Sequence, residues 1–207
     1  MEIDEICYAE VLEDPSIFID NYLIPNKPVL IVGAAEDWIC RHQWVKSGEL
    51  DYDFLRDAFG EEIVPVEHCN QGDYDSAFRE EMPLATYLDL LQSGEAESRS
   101  LYLKDWHLFK NNPEVTQLGE KQILNRKDYY ETPICFKDDW MNWWWDLNGT
   151  DDYRFVYLGP AGTFTAVHHD VMCSHSWSAN VVGRKRWWLV PPALGPLLLR
   201  RAGGGAA

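Results

Sequence analysis

No apolar run in this chain approaches the length of a membrane span, which needs about 20 apolar residues in succession. Positive charge is also scarce: 18 Lys and Arg stand against 34 Asp and Glu, a formal net charge of −16. A surface of that sign repels phosphate backbones, which disfavours direct nucleic-acid binding and favours basic protein partners. Paired cysteine spacing is absent too. The five Cys, at 7, 40, 69, 135 and 173, are odd in number and scattered, as reduced thiols of the cytosol or nucleus would be. The start, Met1-Glu-Ile-Asp-Glu-Ile-Cys7, has neither the basic nor the apolar region of a signal peptide. The expected location is therefore cytoplasmic or nuclear, and the sequon Asn148-Gly-Thr150 is expected to be inert. One more absence matters below: no histidine follows Lys185.

What is present describes a packed domain. Of 207 residues, 46% are hydrophobic and 14% aromatic, with ten Trp, too much apolar surface for a disordered chain. Helical spacing runs over 15–23, ahead of Pro25, and Lys27–Val32 reads as a short buried strand closed by Gly33. Asp51–Phe59 reads as an amphipathic helix stopped by Gly60, and Ile63–His68 as a strand. Pro83 suits the first turn of a helix running to about Gln92 and ending near Gly94. Ser100–Trp106 reads as a strand, and Asp138–Leu147 as a Trp-rich helix or turn. From Asp152 the pattern becomes closely spaced strands: Tyr153–Leu158, Thr165–Val171, Ser176–Val182 and Lys185–Val190. Helices first and a strand meander later predict an α+β fold. The acidic stretches Glu49–Glu62 and Glu80–Glu97 read as solvated helix faces, and Trp140 with Trp143–Trp145 as a packing wedge rather than a stacking platform for a ligand. Residues 193–207 are built only of Ala, Leu, Gly, Pro and Arg and read as an unstructured tail on a domain of residues 1–192.

The chemistry concentrates in Thr165-Ala-Val-His168-His169-Asp170. On a strand, residues two apart share a face, so His168 and Asp170 present an imidazole and a carboxylate side by side. Such a pair is two-thirds of the 2-His-1-carboxylate triad that holds Fe(II) with open positions. Alone, a His-x-Asp is weak, because His and Asp commonly just satisfy one another. Here Thr165 sits three residues before His168, and Lys185 fifteen after Asp170, where its ammonium could anchor a carboxylate. His169 faces the opposite way, and His175 is a poor third ligand on the same sheet. Tyr102 reads as a core residue.

Taken together, Tyr102-Leu-Lys-Asp-Trp106, Tyr153–Pro160, Thr165-x-x-His168-x-Asp170 and Trp177-Ser-Ala-Asn180-x-x-Gly183-Arg-Lys-Arg-Trp187 resemble the JmjC-domain Fe(II)/2-oxoglutarate oxygenases, nearest to their protein-hydroxylase subgroup. The stretch Tyr22–Ile31 belongs to the same likeness, which spans about residues 10 to 192. The resemblance implies a double-stranded β-helix, a jelly-roll barrel with flanking helices, of which this chain would hold a part. It implies that His168 and Asp170 ligate iron, that Lys185 takes the distal carboxylate of 2-oxoglutarate, and that Thr165 and Tyr102 donate hydroxyls to it. It also implies that Asn180 helps toward the co-substrate or a metal-bound water. The implied reaction divides O2 between 2-oxoglutarate and a C–H bond of a protein substrate, here a lysyl side chain of a translation release factor. Two features depart from the pattern: His169 replaces a small residue, and the strand bearing the distal His is missing, its place taken by the Ala/Gly/Leu/Arg tail. This chain is therefore expected to be inactive by itself. The rival readings are a non-catalytic interaction module on the same fold and a cupin-like jelly roll binding a metal without consuming 2-oxoglutarate.

Overall fold

A computed structural model describes residues 3–70, 78–111, 129–149 and 151–195. The chain divides into two compact units, one formed by Met1–Val32 with Gly183–Ala207 and the other by Gly33–Val182. In the first, β1 (Asp4–Cys7) lies parallel to β2 (Val29–Val32), with Asp4 opposite Val29 and Cys7 opposite Val32. Parallel strands need a crossover, and α1 (Tyr8–Glu13), α2 (Ser16–Phe18) and a π-helical turn at Ile19–Leu23 supply it. Asp14 separates the two helices: its Oδ1 accepts from the Ser16 N–H at 3.0 Å and from the Ser16 hydroxyl at 2.6 Å, the local bonding that favours Asp at helix starts. The helical segment and the strand ending at Val32 match the sequence reading. The strand is half-exposed rather than buried, because Leu30 and Val32 point outward.

The larger unit carries the core. After α3 (Ile39–Gln43), a minimal hairpin of β3 (Val45–Lys46) and β4 (Glu49–Leu50) turns through Ser47 and Gly48, both at positive φ. Asp51 then caps α4 (Tyr52–Phe59) by accepting from the Phe54 N–H at 3.0 Å. The helix stops at Gly60, where a Cβ would stand 2.4 Å from the Arg56 carbonyl oxygen. β5 (Ile63–His68), β6 (Arg79–Pro83), α5 (Leu84–Ser93), α6 (Glu95–Ser98), β7 (Leu101–Trp106), α7 (Leu108–Asn111), α8 (Trp140–Asn148) and β8 (Val156–Leu158) follow. Four strands form an antiparallel sheet in the order β6-β5-β7-β8.

One face of that sheet is the core. Val64 and Val66 of β5 and Leu101 and Leu103 of β7 cluster with Phe54, Leu55 and Phe59 of α4 and with Leu84, Tyr87 and Leu88 of α5, the apolar positions recurring at the spacing each element requires. The other face is polar. Glu67 lies opposite Tyr102, and Lys104, two residues on, donates to both Glu67 carboxylate oxygens at 2.9 Å. Both partners are buried. A bulge at Asp105, in the left-handed region at φ 57°, restarts the alternation and returns Trp106 to the core. It also aims Asp105 at Arg79, 2.7 Å away, and at the Tyr157 hydroxyl, which donates to it at 2.8 Å.

The α+β class stands, as a partial jelly roll with helices before it. The strands expected over Thr165–Val171, Ser176–Val182 and Lys185–Val190 do not form. A strand exists by backbone pairing, and among the described residues none of these segments is paired in a ladder. The first of them instead ends in a turn at Val171–Cys173, with Met172 and Cys173 in the left-handed region. The acidic stretches are not plain helix faces either. Glu62 accepts from the Trp106 indole N–H at 2.9 Å, and Glu80 sits in β6, 2.8 Å from His68 and 3.2 Å from Arg99. The pairing offered by β5 overrides the poor strand propensity of Arg-Glu-Glu-Met-Pro. The tail beyond Gly195 lies outside the described residues; Pro192–Leu194 form a short 3-10 turn.

Tyr87 ties the sheet together from α5. Its fully buried hydroxyl lies 3.1 Å from the Leu101 carbonyl and 2.8 Å from the Leu158 carbonyl, and accepts from the Leu103 N–H at 3.2 Å. Tyr87→Phe keeps the ring and strips these bonds, leaving buried backbone groups of β7 and β8 short of a partner. We expect a loss of about 1–3 kcal/mol in urea unfolding, with protection of the β8 amides against hydrogen exchange falling first.

Candidate metal and co-substrate site

β8 delivers the chain from the sheet to the candidate site. Beyond Leu158, Gly159-Pro-Ala-Gly162 turns with Gly162 at φ 85° and with the Thr163 hydroxyl donating to the Pro160 carbonyl at 2.8 Å. Gly159 is required by closeness: a Cβ there would stand 2.5 Å from Cδ2 of Tyr102. The turn thus lies directly on the Tyr102 ring. The Cys69 thiol, 3.2 Å from the Phe164 carbonyl, fastens the next few residues to the end of β5. Thr165 follows, half-buried.

His168 and Asp170 come together as their spacing predicts, on backbone that is not part of a sheet. His168 Nε2 stands 3.6 Å from Asp170 Oδ1. The other ring nitrogen, Nδ1, is 2.7 Å from the Ala166 carbonyl oxygen. A carbonyl only accepts, so Nδ1 carries the proton and Nε2 is left as the ring's acceptor atom. Metal-binding histidines are held in this way, with the far N–H donated to a carbonyl or carboxylate. A first-row ion bonds such ligands at about 2.1 Å, which sets two neighbouring ligands about 3–3.6 Å apart. The pair fits a metal ion. Asp170 also reaches the polar face of the sheet: its charge is among the influences that raise the Tyr157 phenol, behind burial, Asp105 and Tyr102.

The remaining expected residues are placed less closely. Tyr102 is buried, as a core residue would be, and its ring centroid is 6.1 Å from that of Tyr157. Burial pushes its phenol up to about 12, so at neutral pH it is an intact hydroxyl donor. Asn180 is exposed, with Nδ2 3.4 Å from the Val182 carbonyl. Lys185 belongs to the other compact unit, where its ammonium lies 4.4 Å from the centre of the Trp187 ring. His169 and His175 are exposed.

A second group escaped the sequence reading. His107, Asp151 and Asp152 bring one ligand atom each within 4.8 Å of the others, a set able to hold a metal ion such as iron. Its internal bonds argue for a structural role. His107 Nδ1 is 2.5 Å from Asp152 Oδ1, closer than two ligands of one ion stand. Lys110 already donates to Asp151 at 2.8 Å and holds that carboxyl below the usual range. The other oxygen of Asp152 is buried without a hydrogen-bond partner. Forty-odd residues separate His107 from the acids, so no local spacing could have linked them.

The cupin-like domain family matches residues 15–203. The chain belongs to that family. It is 44% identical over 184 residues to the 2-oxoglutarate and iron-dependent oxygenase JMJD4 of Gallus gallus, a match covering 86% of this chain and 40% of the relative. The Homo sapiens protein of the same name is 38% identical over 193 residues, covering 90% of this chain and 43% of that protein. The arginine-specific demethylase JMJ20 of Arabidopsis thaliana is 34% identical over 201 residues, covering 89% and 41%. The resemblance to JmjC oxygenases is therefore borne out, while the chain spans only about 40% of the length of these curated relatives.

Burial gives a pH test. Cys40 is pushed up to about 11 and Tyr102 to about 12, both chiefly by desolvation. Groups whose folded pKa is raised stabilise the fold fully below their unfolded pKa and lose that stabilisation as pH rises through the folded one. The contribution of these two groups to the unfolding free energy should be level from neutral pH to about 8.5 and fall between about 9 and 12. Denaturant midpoints across that range should show a gentler fall in Cys40→Ala.

Proposed function

We propose that this chain supplies the iron- and co-substrate-binding part of a 2-oxoglutarate-dependent protein hydroxylase working in the cytoplasm. The single observation that carries the reading is the His168–Asp170 pair, 3.6 Å apart, with the imidazole tautomer set by the Ala166 carbonyl. Iron with 2-oxoglutarate and O2 supplies, when bound, hydroxylation of a C–H bond coupled to formation of succinate and CO2. His168 and Asp170 would hold the metal. Lys185 takes the distal carboxylate of 2-oxoglutarate through a charge-assisted bond, assisted by the Thr165 hydroxyl and by Tyr102, which its raised pKa keeps protonated. Asn180 assists at the co-substrate. The substrate is a protein, and on resemblance a lysyl side chain of a translation release factor. All six histidines lie at or before residue 175, whereas the resemblance implies a distal His on a later strand, so the 207 residues alone are expected not to turn over.

The experiment compares the 207-residue chain with a chimera in which it replaces the matching segment of the Gallus gallus relative. Succinate is measured with Fe(II), ascorbate and 2-oxoglutarate. The chain alone should yield none. The chimera should be active, and His168→Ala or Asp170→Ala should abolish the activity. Lys185→Ala should raise the 2-oxoglutarate requirement about tenfold, the worth of one charge-assisted bond. Substantial turnover by the chimera lacking His168 contradicts the assignment. Turnover by the chain alone contradicts the need for a further ligand.

A further inference from the structure

The Trp-rich helix α8 turns three of its four indoles outward. Trp140, Trp143, Trp144 and Leu147 recur at the spacing of one helix face, and they are 70%, 57%, 57% and 64% exposed. The inward face instead holds Asn142, which is 4% exposed. Asn142 accepts from the Tyr153 N–H at 2.9 Å and donates to Asp139 at 2.7 Å. These bonds hold the helix with Asn142 and the half-buried Trp145 inward and with Trp140, Trp143 and Trp144 outward, so of the packing wedge expected from the sequence only Trp145 turns inward. Three indoles and a leucine at this exposure present an apolar patch of about 500 Å². Patches of that size on a soluble surface commonly mark interaction sites.

We propose that this stripe docks a basic amphipathic segment of a protein partner. Charge selects the occupant. Residues 138–152 contain five Asp and no Lys or Arg. Lys110 pairs with Asp151, and Arg154 lies 3.7 Å from Asp146. Indole faces attract Lys and Arg side chains, adding to that preference. A second copy of the chain is disfavoured, since each copy carries −16. The area decides the lifetime: about 500 Å² on each side falls at the low end of specific interfaces, where transient partners lie. This surface is independent of the metal-site reading above.

The probe is a short dye-labelled amphipathic helix of Leu and Lys, with a Leu and Glu counterpart, followed by fluorescence anisotropy. The Lys probe should bind the 207-residue chain and weaken with added salt. Trp143→Gln with Trp144→Gln should raise Kd about tenfold or more, as loss of central interface Trp does, and Asp138→Asn with Asp146→Asn should raise it less. Circular dichroism is expected to be unchanged, because every substituted side chain is outward. Equal binding of the Glu probe, or of the Trp variant with its helix intact, overturns the proposal. So does a dimer in sedimentation that the Trp variant dissolves, which would make a second copy the occupant. Loss of binding in the Gallus gallus chimera, with the indoles shielded from acrylamide quenching, would assign the stripe to another part of a longer chain and equally overturn it.

Discussion

The hydroxyl of Tyr87 is the point through which the helical layer controls the site. Carried on α5 into the core, it bonds the backbone of both β7 and β8. β8 is only three residues long, too short to hold register by its own ladder, so a side-chain bond at its last residue fixes where it ends. The chain leaves at that end into the turn that rests on Tyr102. From there the Cys69 contact to Phe164 and the short path to Ala166 bring His168 and Asp170 together. A slip of one residue in β8 would turn Tyr157 away from Asp105 and move the turn off Tyr102.

The polar face of the sheet does the electrostatic part. A buried Lys104–Glu67 pair gains no stability over a well-packed apolar pair of the same volume, but breaking it by removing one partner is strongly destabilising. Its consequence here is orientation. Arg79 bridges Glu67 and Asp105, and Asp105 holds the Tyr157 hydroxyl. Beside this network Tyr102 keeps its proton far above neutral pH. The face offers neutral phenols beside paired charges of both signs.

Much of this was legible in the residues. Asp51 before a periodic run and Gly60 after it marked α4, and Pro83 with Gly94 bracketed α5, because caps and breakers act locally. The two-residue spacing of His168 and Asp170 predicted their adjacency, since extended backbone alone suffices for it. What was not legible depended on distant partners. β6 exists because β5 offers it an edge, and the segments after Thr165 are paired with no other strand among the described residues. The outward face of α8 is decided by Asn142 meeting Tyr153, not by hydrophobic periodicity, and a Trp-rich run could only be read as core. The His107 group joins residues that no spacing rule connects.

The central claim is that His168 and Asp170, and not the His107 group, form the metal pair. Histidine side-chain 15N NMR on the chain, titrated with Mn(II), tests it at any affinity, since a paramagnetic ion broadens the nearest imidazole first. The account predicts that His168 broadens ahead of all other histidines, at Nε2 more than Nδ1, and that Asp170→Asn removes the effect. Broadening that begins at His107 and survives Asp170→Asn would contradict it.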